Sequence, residues 1–232
     1  MPVIRSMDLA LTKDEILDRL PLSSPAFSSR PAPALVAELL DQIDQDQLLT
    51  PKASYEFHRI MRVDQYTVVL EAETLKIPRA HLSETKAADS LVFASWTLGK
   101  RISTGVSKKF EQRQYLAGFL LHEIASLLLF RLGENMFDQL SGQFARQKEN
   151  IGSAIAPGDG VLKLSVQGTV LALSGASRIG IDGGIDGPMS PLKSATAIAP
   201  VGSAVKLTGS RWSCEHCQVR DSCRLRSKPA AN

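Results

Sequence analysis

Ser90-Leu91-Val92-Phe93-Ala94-Ser95-Trp96-Thr97-Leu98-Gly99 is the stretch from which the fold is read. Its unbroken apolar run, bounded by serines, is the pattern of a buried strand over 90–95. Thr97-Leu98-Gly99 then turns the chain into a helix near 101–110. Working outward, Leu116, Phe119, Leu120, Ile124, Leu127, Leu128 and Leu132 recur at helical spacing and predict a long helix over 112–140. Upstream, Tyr55, Phe57 and Arg59, then Tyr66, Val68 and Leu70, alternate on either side of a polar Val63-Asp64-Gln65 turn. That alternation predicts a pair of strands, with 74–77 as a short continuation that Pro78 stops. Strands mixed with helices in no regular βαβ alternation argue for an α+β fold.

The flanks differ in character. Residues 1–34 read as a flexible N-terminal arm, in which Thr12 and Glu15 form a capping-box signal for a short helix over 13–20. The Ser-, Pro- and Ala-rich run 21–33 reads as a linker. A helix follows over 35–45, with Leu35, Val36, Leu39, Leu40 and Ile43 on one face. From 151 to 209 the chain is rich in Gly, Ser, Ala and Pro. A helix over 163–173 and strands near 179–181 and 195–199 are expected there, with Gly183-Gly184 and Gly187-Pro188 as breakers. Glycine-rich loops of this length are where binding concentrates.

Composition excludes several classes. The net charge of +3 over 232 residues, without interleaved aromatic and basic residues, argues against nucleic acid. Asp8, Lys13, Asp14, Glu15 and Asp18 break any secretory apolar region. The longest apolar stretch, 116–132, carries His122, Glu123 and Arg131 and is too short and too polar to span a bilayer. A cytoplasmic protein with no membrane partner is expected. All three cysteines, Cys214, Cys217 and Cys223, fall within ten residues, as C-x2-C-x5-C. An odd, local set is not a disulfide framework, and clustered thiolates are soft ligands for a metal or cluster.

A family resemblance lies in the order of these segments. Ala94-Ser95-Trp96-Thr97-Leu98-Gly99 ends a strand in a Leu-Gly turn, and a long apolar helix follows. Then come the loop Ala156-Pro157-Gly158-Asp159-Gly160, a short helix carrying Gln167, and Ile179-Gly180-Ile181 leading to Met189-Ser190-Pro191-Leu192-Lys193-Ser194-Ala195. A cysteine-rich tail closes the chain. Over 35–226 this resembles the reactivation domain of cobalamin-dependent methionine synthase, and more closely its short stand-alone relatives that end in clustered cysteines. It is specific at the Pro-Gly loop, the Pro-x-Lys-Ser segment and the tail.

The resemblance implies a C-shaped single domain around a twisted, largely antiparallel sheet over 35–209, with 210–232 as a metal-binding tail. It implies binding of S-adenosylmethionine in an extended groove and docking over a corrinoid carried by a partner, a corrinoid-binding protein or methyltransferase. The activity it implies is help in the one-electron reduction of inactive cobalamin. The chain departs from the family at several positions. In the methionine synthase domain an arginine three residues before the Pro-Gly proline and a tyrosine just after the glycine hold the ligand. Here these positions are Ala154 and Asp159. An acid from the long helix should bind the ligand's amino group, yet 126–130 offers none, and Glu123 or Glu134 would have to substitute. Loss of one charge-assisted bond costs about 1.5–3 kcal/mol, which argues against S-adenosylmethionine.

Candidate site residues follow. Cys214, Cys217 and Cys223 would hold a [4Fe–4S] cluster with an external fourth ligand, or zinc with His216 as the nearest nitrogen. Arg211, Arg220, Arg224 and Arg226 surround them. Lys193 and Ser194 would present a cation and a hydroxyl to a phosphate, a carboxylate or a corrinoid side chain. Pro157, Gly158 and Asp159 would form a turn whose glycine lets a flat ligand approach the backbone. His122, inside the apolar helix, reads as a hydrogen-bonded boundary residue, Trp96 as core, and Trp212 as a shield over the metal site.

Overall fold

The computed structural model describes residues 3–4, 9, 11–20, 32–64, 67–71, 74–76, 85–159, 162–184, 187–206, 212 and 223. Its centre is β5 (Ser90–Thr97), which pairs antiparallel with β2 (Lys52–Val63) on one side and β9 (Ser194–Gly202) on the other. A seven-stranded sheet grows from this trio in the order β4 (Thr74–Lys76), β3 (Thr67–Leu70), β2, β5, β9, β6 (Asn150–Ile151), with β1 (Val3–Ile4) also on β2. Every pairing is antiparallel. The α+β class and the antiparallel sheet are as expected.

Apolar side chains leave β5 on both faces. Val92, Ala94 and Trp96 enter the larger core, and Leu91 and Phe93 enter a smaller one. A strand with both faces buried cannot alternate with polar residues, hence its continuous apolar run. The larger core lies under α4 (Tyr115–Arg146), with α1 (Lys13–Arg19), α2 (Ala32–Gln45) and α3 (Lys100–Glu111) around it. At 32 residues α4 is about 48 Å long. It is the one described helix long and apolar enough to cross a membrane, and its Leu120, Leu121, Ile124, Leu128, Leu132 and Met136 instead fill this core. The opposite face is covered by α5 (Gln167–Leu173), whose Val170 packs with Leu91, Phe93 and Ile198.

Several elements differ from expectation. The helix expected over 112–140 starts at Tyr115 and runs to Arg146. Residues 112–114 instead form a left-handed turn, with Arg113 at φ 60° and Gln114 N–H donating to Lys109 C=O. The strand expected near 179–181 is a 3₁₀ turn, Ala176–Ile179, flanked by Gly175 and Gly180 in the left-handed region. Those glycines break extended pairing there, and the local strand falls at β7 (Asp182–Gly183), which pairs with β8 (Met189–Ser190). The helix expected over 163–173 opens with one 3₁₀ turn, Leu164–Val166. Residues expected to belong to an arm contribute a docked helix. Thr12 and Glu15 form the capping box, Ile16 is fully buried, and Glu15 pairs with Arg131 of α4 at 2.9 Å. A seven-residue helix is marginal alone, so this packing holds it.

Candidate functional site

A groove of about 610 Å³ opens beside α5, beneath the β7–β8 ribbon. Its walls are largely apolar: Leu164, Pro188, Met189 and Leu192, with Gly184, Gly187, Ser165 and Gln167 between them. Leu164 and Leu192 are about two-thirds exposed, at 65% and 66%, so two large apolar side chains stand at the rim facing solvent. Gln167 is the polar point of the floor. It is buried, and its side-chain amide donates to Thr196 Oγ1 at 2.7 Å and lies 3.6 Å from Met189 Sδ. Gly184 makes the ribbon fit. Its φ is +84°, and a Cβ there would meet Leu171 Cδ1 at 2.6 Å. An apolar cleft of this size with one fixed polar group suits a small molecule or a flat cofactor edge.

Of the residues expected at the site, Gly158 lies next to Leu164 of the groove's rim: a Cβ on it would touch Leu164 at 3.4 Å, and its φ is +90°. Pro157 and Leu162 form the bridge that closes this loop. Asp159 turns inward, its carboxylate accepting from Ala156 N–H at 3.3 Å and Leu162 N–H at 3.1 Å. These two bonds are those of a turn residue. Gly160 lies outside the described residues.

Lys193 and Ser194, expected to meet a phosphate, a carboxylate or a corrinoid side chain, are not among the residues that line this groove. Both are buried at the start of β9. The Lys193 carbonyl accepts from Leu98 N–H at 2.9 Å and Thr97 Oγ1 at 3.2 Å, and Ser194 Oγ donates to Thr97 Oγ1 at 2.9 Å. With its main chain pinned to the end of β5, Lys193 directs its ammonium to α4, where it donates to Ser126 Oγ at 2.7 Å and His122 C=O at 3.1 Å. His122 Nε2 stands 3.5 Å away. Burial pushes the Lys193 amine down to about 8, against a smaller opposing pull from Glu123. Burial, and then the Lys193 charge, lower His122 as well. His122 is exposed on α4, and its neighbour across the fold is Lys193. No sequence signal joined Ser126 to Lys193.

Trp96 is core, donating from its indole to Leu129 C=O at 2.9 Å. Trp212 packs on Trp96 of β5 and on Phe130 and Phe137 of α4, with ring centroids 5.1–5.8 Å apart. Cys214 and Cys217 lie outside the described residues, as does His216. Cys223 is half-buried, and among the described residues no group of three metal-ligating side chains comes together.

The chain thus places an antiparallel sheet between a long core helix and a short helix, with a groove under a glycine-rich ribbon. This fold is similar to that of a solved structure, the MetH reactivation domain bound to AdoHcy, with a TM-score of 0.57 at 12% identity over 90% of this chain and 80% of that one. No family model and no curated protein matches the sequence.

Proposed function

We propose that this protein serves a corrinoid-dependent methyltransferase as an accessory in reductive reactivation, with a C-terminal iron–sulfur centre on Cys214, Cys217 and Cys223. The observation that carries the reading is the Lys193–Ser126 bond on the reactivation-domain fold. The family resemblance implies an acid on this part of the long helix to hold the amino group of S-adenosylmethionine. Here Ser126 already accepts the chain's own ammonium. The scaffold thus keeps a groove while the point that would anchor a cationic ligand is internally occupied. A bound cluster would supply single-electron chemistry, which zinc cannot. The apolar rim at Leu164 and Leu192 would exclude water where a corrinoid edge or its carrier docks. A cytoplasmic location would keep three clustered cysteines reduced.

Anaerobic purification with metal and sulfide analysis tests this. A brown protein bleached by dithionite, with iron and sulfide in cluster ratio, is expected, and a colourless protein with stoichiometric zinc refutes it. A second reading, a small-molecule module with a zinc-pinned tail, is favoured by the AdoHcy in the matching structure. Calorimetric titration with AdoHcy and S-adenosylmethionine separates the two. The first reading expects no heat of binding at micromolar concentrations, and the second expects saturation.

A further inference from the structure

On the far side of the larger core, the C-terminal end of α2 and the length of α3 enclose a second groove, of about 680 Å³. Its chemistry is opposite to that of the first. Arg101, Gly105 and Lys108 on α3, and Gln112 just past its end, recur every three or four residues and face it, flanked by Lys100 and Lys109. Gln42, Gln45, Gln47 and Asp46 line the α2 side. Four cations therefore meet one carboxylate, and that carboxylate already accepts from Gln42 Nε2 at 3.0 Å. Arg101 donates to Asp46 C=O at 2.7 Å, which fixes its guanidinium at the mouth. Among the described residues no carboxylate pairs with Lys100, Lys108 or Lys109. A whole-chain charge of only +3 makes this a local concentration of charge.

We infer that this groove receives an acidic, extended segment of a protein partner. Charge complementarity supports an anionic occupant, since carboxylates would pair with ammonium groups that no described carboxylate meets. The mixed wall favours a polypeptide over a nucleic acid. Gln42, Gln45, Gln47 and Gln112 supply side-chain amides that can bond the alternating N–H and C=O groups of an extended chain, which a phosphate backbone does not offer. Length agrees: from Lys100 to Glu111 the helix rises about 17 Å, the span of about five extended residues.

The test uses the full chain and a fluorescein-labelled hexaglutamate peptide, read by anisotropy at low and high salt. Hexaglutamate is expected to bind at low salt and to be released by salt. Lys108→Glu/Lys109→Glu is expected to weaken it by about tenfold or more, against less than about twofold for reversal of Lys13 and Lys163, which lie outside the groove. Lys108→Gln/Lys109→Gln serves if the reversal unfolds the end of α3. The inference is overturned by absence of hexaglutamate binding, by equal weakening from both pairs of reversals, or by oligothymidine binding more tightly than hexaglutamate.

Discussion

Replacing Lys193 by methionine should remove a pH dependence that the buried ammonium imposes on the whole fold. The amine titrates near 10.5 when solvated and near 8 in the folded protein, because burial disfavours its charge. Between those values the unfolded chain binds the proton that the folded one has lost, so folding stability rises with pH across the window. The full difference, at about 1.4 kcal/mol per pKa unit, is about 3 kcal/mol, and the part falling between pH 7 and 10 is about 2.5 kcal/mol. Urea unfolding of the wild type and Lys193→Met at pH 7, 8.5 and 10 reads it, since the difference between the two curves cancels the other titrating groups. Lost hydrogen bonds to Ser126 and His122 shift the whole difference curve, but they do not tilt it. Wild-type stability should gain about 2 to 3 kcal/mol on the variant between pH 7 and 10. A flat difference curve would refute the reasoning, by showing that the amine stays solvated or firmly charged.

Acidification should act at the same cluster. His122 is held below its usual 6.5, so its protonation as pH falls through that region favours the unfolded chain, and His122→Gln should flatten the acid limb of a stability profile. Gly133→Ala, ordinarily favourable in a helix, should destabilise by about 1–3 kcal/mol in urea unfolding, because the new Cβ would lie 2.8 Å from Trp96. A stabilised variant would mean that Trp96 is free to shift. Trp212→Ala should cost about 2–3 kcal/mol, since its ring packs on three others. Cys214→Ala and Cys217→Ala should lose the metal while the melting temperature moves by less than about 2 °C, because the core described above contains no cysteine. A large fall in melting temperature would instead make the tail part of the body.

Much of the architecture was legible because it follows from local patterning. The apolar run at 91–94 marked the central strand, and the leucine spacing from 116 to 132 marked the core helix. Thr12 and Glu15 marked the first helix, and their capping box is present. Where reading failed, the deciding contact was distant or the backbone unusual. Apolar Ile179 and Ile181 look like a strand, but left-handed glycines at 175 and 180 wind the segment into a 3₁₀ turn. Ile16 gave no sign that it would be buried against the body, since a capping box reports a helix start and says nothing of docking.

The candidate site divides in the same way. Gly158 and the Pro-Gly turn could be located from residue type, because conformational freedom belongs to the residue itself. Lys193 could be picked out as chemically distinctive, but its direction could not. A lysine's reach is set by where its backbone is held, and here the ends of β5 and β9 hold it opposite Ser126, 67 residues away in sequence. By itself, then, the sequence determined the elements and the residue types available for chemistry. The tertiary structure alone decided that the ammonium closes on the long helix, and that the groove is left to Gln167, Met189 and two exposed leucines.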